Sequence, residues 1–143
     1  SSDVCSSDLT FTIPSAAAKA VTVGAYDAGT GSAAPFSGRG YIVEIGGSLM
    51  VKPELAAPGV NVLVPSVSGM ARVSGTSYAT PFVTGSAALL MEWGIVRGND
   101  AFLYGEKLKA YLIKGAEPLA GAAVPDTQTG WGRLCLKNSL PQA

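Results

Sequence analysis

Apolar residues along this chain fall in short runs closed by glycine, not in one long periodic stretch. Residues 20–25 (AVTVGA) are β-branched and alanine-rich and end at a glycine, which predicts a buried strand. Residues 27–37 are rich in Gly, Ala and Ser and read as a loop. Residues 41–45 and 49–51 predict two short strands, or a hairpin, about Gly46-Gly47. Residues 55–57 run into Pro58-Gly59, a turn signal, and residues 60–64 resume an extended apolar pattern. Residues 77–93 make the strongest helix, with Pro81 in or just after the first turn, where a missing N–H matters little. Phe82, Val83, Ala87, Ala88, Leu89, Leu90 and Met91 are apolar almost all round, which predicts a buried helix. A second helix is expected over residues 104–113, with Lys107, Lys109 and Lys114 as solvated charges on its wet face and Gly115 as its stop. The tail carries Gly130-Trp131-Gly132 and a short apolar run over 134–140.

Composition narrows the class. At 143 residues the chain can form one modest domain, and 48% apolar with only 14% charged residues excludes a disordered chain. That much apolar material suits segments covered on both faces, as in a parallel sheet. Ten Lys plus Arg balance ten Asp plus Glu, so no bulk charge recruits nucleic acid or an anionic membrane. No apolar run approaches the ~20 residues that span a bilayer. Cys5 and Cys135 lie near opposite ends and read as unpaired. Residues 1–9 (SSDVCSSDL) do not resemble the rest of the chain and read as a foreign or artefactual leader.

The chain contains no histidine. A His-dependent mechanism therefore cannot be completed within it, the commonest metal ligand is missing, and no carboxylate cluster takes its place.

One segment nevertheless carries chemistry. Gly75-Thr76-Ser77-Tyr78-Ala79-Thr80-Pro81 stands where a glycine-rich stretch feeds the long helix. A serine there sits at the positive end of the helix dipole, beside backbone N–H groups free to stabilise an oxyanion. The same position also suits a plain N-cap serine. From position alone both roles stay open.

The wider pattern resembles the subtilisin-like (subtilase) serine peptidases. GTSYATP is similar to the segment around their nucleophile, which makes Ser77 the equivalent serine. Four further segments resemble that family in its order: AVTVGA (20–25), PFSGRGY (35–41), KPELAAPGVNV (52–62) and TGWGRLCLKNSL (129–140). Chain order agrees, because subtilisin-type triads run Asp, His, Ser, so a stretch around the serine need contain no His. An α/β-hydrolase would need a His after Ser77, and Ala79 stands where its second motif glycine belongs.

The resemblance implies an α/β fold: part of a parallel sheet flanked by helices, with Ser77 opening a central buried helix. Residues 10–143 would be the C-terminal portion of a peptidase domain. The parent would be a serine endopeptidase acting on polypeptides through an acyl-enzyme on Ser77. Its Asp, His and oxyanion-hole Asn would come from an upstream portion of the same domain, so this chain alone is expected to be inactive and to aggregate or form a molten state. No cofactor is implied. Calcium is common in the family as a stabiliser, but no site is assignable here. FSGRGY and the stretch from ALLMEWGIVRGND to GEKLKAYLIKGA are closer to clostridial germination-type subtilases, which implies an extracytoplasmic or spore-associated setting. Two rival readings are a pseudoprotease, the same fold kept as a binding or regulatory module, and an unrelated α/β binding domain with a capping serine.

Overall fold

A strand covered on both faces must carry small or β-branched residues on each, and residues 23–27 (VGAYD) do so. In the computed structural model, which describes residues 16–141, they form β1 (Val23–Asp27). It is followed by β2 (Ser32–Ala33), β3 (Tyr41–Ile45), β4 (Ser48–Lys52), β5 (Leu55–Pro58), β6 (Val62–Ser66) and β7 (Gly69–Val73). Helix α1 (Thr76–Met91) continues into a π-helical turn, Glu92–Val96; then come α2 (Gly105–Lys114) and α3 (Leu136–Ser139). The proposed leader at residues 1–9, with Cys5, lies outside the described residues; Cys135 is a free thiol.

β1 and β5 pair in parallel, Val23 opposite Leu55 and Tyr26 opposite Pro58, and β2 adds an antiparallel edge to β1. On the far side of β5 the tail joins the sheet. Ala56 N–H donates to Gly132 carbonyl at 2.8 Å and Leu134 N–H donates to Ala56 carbonyl at 2.8 Å. Pro58 thus ends a strand where a turn was expected. Proline is tolerated there because only the last strand residue lacks its N–H. The expected hairpin about Gly46-Gly47 is β3–β4, both glycines having positive φ. The extended run after Gly59 begins a second hairpin, β6–β7.

Side chains alternate across the sheet as the pleat requires. Val23, Ala25, Leu55 and Ala57 meet Ala79, Val83 and Leu90 of α1 and Leu112 of α2 in one buried cluster. Tyr26 and Ala56 point the other way, against Leu119 and Ala122. Gly24 is pressed by the tail: a Cβ there would stand 2.3 Å from the Gln128 carbonyl oxygen.

The long helix is covered on one side among the described residues. Ala79, Val83 and Leu90 are buried, whereas Phe82 is 43% and Leu89 57% exposed. Residues 76–96 are long and apolar enough to cross a membrane by length and composition, yet this same stretch forms the helical layer on the sheet. It unwinds to i→i+5 bonding at its end, with Arg97 N–H donating to Glu92 carbonyl. Gly94 lies in that turn because a Cβ would come 2.8 Å from Leu103.

Lys109 corrects the expectation of three solvated lysines on α2. Lys107 is half exposed and pairs with Asp100, but Lys109 is only 15% exposed and reaches the buried Glu54 carboxylate at 2.5 Å. Lys52, fully buried, contacts the same oxygen at 2.6 Å, and Thr22 N–H donates to the other Glu54 oxygen at 2.7 Å. The two ammonium groups also donate to the carbonyls of Ala18 and Ala20. Burying a lone carboxylate would cost several kcal/mol, and the two ammonium groups and a backbone N–H around Glu54 offset that cost. Helix α2 is tied in this way to the lower end of β1 and β5.

Candidate active site

Ser77 is the second residue of α1 and is solvent-exposed. The N-cap is Gly75, at φ 154° and ψ 156°, and no side chain caps the helix. The capping role left open by sequence position therefore belongs to Gly75. Only glycine takes that backbone conformation readily. Among the described residues no side chain hydrogen-bonds to the Ser77 hydroxyl, which stands free at the helix start. The Ser77 N–H, in the first turn, has no carbonyl of its own helix to pair with. Pro81, four residues on, supplies no N–H to the Ser77 carbonyl.

Position is imposed on this turn from the sheet. Gly59 N–H donates to the Tyr26 carbonyl at the end of β1, at 3.0 Å, and Gly75 N–H donates to the Gly59 carbonyl at 2.8 Å. Tyr78 N–H returns to the Gly75 carbonyl at 3.1 Å. Gly59 must be glycine, because a Cβ would lie 2.6 Å from that of Ala25 and 3.0 Å from the Gly75 carbonyl oxygen. Two side-chain bonds reinforce the contact: Asn61 N–H to Ser74 Oγ at 2.9 Å, and Arg72 Nη1 to the Asn61 carbonyl at 3.1 Å. Sequence reasoning missed Asn61, Arg72 and Ser74. The only signal was their closeness in sequence to the two glycines.

Val62 and Val64 of β6 and Tyr78, Pro81 and Phe82 of α1 line an open apolar cleft of about 280 Å³. No group of three or more Asp, Glu, Cys or His side chains that could hold a metal occurs among the described residues. With no histidine in the chain, no general base of that kind faces Ser77 from within it.

The other motif segments surround the same sheet. Ser37, in the PFSGRGY loop, is buried, and its Oγ accepts the Ala25 N–H at 2.9 Å. Gln128 Nε2 donates to the Ser37 carbonyl at 3.2 Å, and Gly40 N–H to the Thr127 carbonyl at 2.8 Å. Trp131 N–H donates to the Glu54 carbonyl at 2.9 Å. Gly130, at φ +61°, passes so close to Pro53 that a Cβ would stand 2.2 Å from its carbonyl oxygen.

Comparison with known proteins agrees with this arrangement. The model of the Subtilase family matches residues 5–132. The CspB protease of Clostridium perfringens superposes with a TM-score of 0.79 at 44% identity, over 89% of this chain and 27% of that one. The prenylagaramide maturation protease PagA gives a TM-score of 0.69 at 29% identity, over 89% and 43%. The PII-type proteinase of Lactococcus lactis subsp. cremoris is 38% identical over 67 residues, which are 46% of this chain and 4% of that protein. The chain thus spans a minor part of the length of each relative. With a fold shared with subtilisin-like proteases and a family match over most of its length, this chain belongs to the subtilase family.

Proposed function

We propose that Ser77 is the nucleophile of a serine endopeptidase and that this chain supplies the nucleophile-bearing part of its domain. The observation that carries the reading is the free, exposed Ser77 hydroxyl at the start of α1, with the capping position taken by Gly75. Ser77 Oγ attacks the scissile carbonyl carbon while its proton passes to a histidine contributed by another part of the parent polypeptide. The Ser77 N–H donates to the developing oxyanion. The protonated base then gives its proton to the leaving amine, the C–N bond breaks, and water hydrolyses the ester on Ser77. This sequence needs a serine, a base and oxyanion donors, and no cofactor.

The upstream part of the same domain is the partner this reading requires, and the exposed face of α1 around Phe82 and Leu89 suits its docking. The polypeptide substrate follows from the family and from relatives whose names describe proteases.

The test is a fluorophosphonate probe on the full-length protein, with Ser77→Ala as control. Labelling that disappears in the variant supports the reading. A folded, processed protein that never labels, and whose upstream sequence lacks the Asp and His, would be a binding module on the same scaffold.

A further inference from the structure

Gly75 is the freest kind of residue, and it stands two positions before Ser77 with no side chain to hold it. Something outside must fix the direction in which the chain enters α1. One backbone bond, Gly75 N–H to the Gly59 carbonyl, does part of this. The rest falls to Asn61, Arg72 and Ser74, which join the segment after β5 to the segment before α1.

All three residues are exposed or only partly covered, so burial does not account for them. Asn61 is the one non-glycine residue among the described residues with positive φ, at +53°. Its N–H donates to Ser74 Oγ, just after β7, and its carbonyl accepts from Arg72 Nη1 on β7. The β6–β7 hairpin, at whose base the three sit, forms its ladder only with itself, and it leaves Leu63, Val67 and Met70 in solvent. Its root, held by these bonds, is also the root of the nucleophile turn.

We infer that Asn61, Arg72 and Ser74 form a latch that positions the Ser77 hydroxyl for attack without touching substrate. The inference rests on Ser77 being the nucleophile. A reacting oxygen displaced by about 1 Å can lose up to about 100-fold in rate, so a partial loosening is enough to be read.

The experiment uses the full-length protein. Ser74→Ala and Arg72→Met should each lower kcat about tenfold on a peptide substrate, with KM and the thermal midpoint nearly unchanged. The Ser74→Ala, Arg72→Met double variant should be little worse than either single one, because both break one device. Asn61→Gly, which adopts the same φ freely, should keep most of the rate. Unchanged kcat in both Ser74→Ala and Arg72→Met overturns the latch, as does a loss that tracks the thermal midpoint.

Wild type that neither labels nor turns over would instead overturn Ser77 as nucleophile. Hydrogen exchange at the Gly75 amide then tests separately whether the three residues hold the turn. Faster exchange in Ser74→Ala supports it, and unchanged exchange overturns it.

Discussion

The two ends of the β1–β5 pair are built on opposite terms. At the lower end, where both strands begin, Lys52 and Glu54 are buried, Lys109 is mostly covered, and each carboxylate oxygen of Glu54 has a donor. At the upper end, beyond Tyr26 and Pro58, Ser77 offers a hydroxyl with no partner among the described residues, and Tyr78 and Phe82 are partly exposed to solvent. One end buries its ions and fixes the helices; the other holds a hydroxyl open to solvent. Open α/β sheets generally bind ligands outside the carboxyl ends of their strands. Here the division follows from where the chain places its ions.

The sharpest way to break that contrast is Glu54→Ala. It strands two ammonium groups in the lower end and should lower stability by about 3–5 kcal/mol, read by urea unfolding of the full-length protein. Fluorophosphonate labelling of Ser77 in the still-folded fraction should persist. A loss under about 1 kcal/mol would mean that the triad holds nothing.

Lys109→Met is milder, because Glu54 keeps Lys52 and the Thr22 N–H. It should lower stability by about 1–3 kcal/mol. A loss equal to that of Glu54→Ala would show that Lys109 alone carries the network.

Gly85 gives a third probe, on the open side of α1. A Cβ there meets nothing within 4 Å. Gly85→Ala should stabilise by about 0.5–1 kcal/mol, by removing backbone freedom from a helix interior. Destabilisation of the full-length protein would instead reveal a second layer packed against this face.

The smallest effect is electrostatic. The Arg133 guanidinium hydrogen-bonded to Glu117 holds its carboxyl below the usual carboxylate range, and Lys107 does the same for Asp100. A depressed folded-state value adds stability that is fully present above the unfolded value and lost as pH falls through the folded one. Thermal midpoints should therefore drop below about pH 4, and Glu117→Gln should flatten part of that slope. An unchanged slope would remove Glu117 from the acid response.

β1, the β3–β4 hairpin, β6 and both longer helices were legible because each is a local pattern: a β-branched run, a Gly-Gly pair, a helix stop at Gly115; β2 lay in a stretch read as loop, and β7 was not expected. The five motif segments placed the chain in its family for the same reason, and the structure gathers them around one sheet. What stayed hidden was pairing across distance. Nothing near Lys109 announces a carboxylate fifty-five positions earlier, so a lysine on a polar helix face read as solvated. The helix start was displaced too. Ser77 competed for the cap because its hydroxyl suits that role, whereas Gly75 takes it through a φ of 154°. Pro58 read as a turn because its place at the last rung of a strand depends on Tyr26, far back in the chain.

The tail's pairing with β5 also bears on the order of events during synthesis. Ala56 finds both of its outer hydrogen bonds on Gly132 and Leu134, near the end of the chain. The strand beneath the nucleophile helix therefore stays open on one edge until those residues have left the ribosome. Pairings between residues so far apart in sequence also form late, because the intervening loop must close first. Helix α1 can coil as it emerges, but the floor on which Ser77 rests is completed only after the ribosome has passed Leu134.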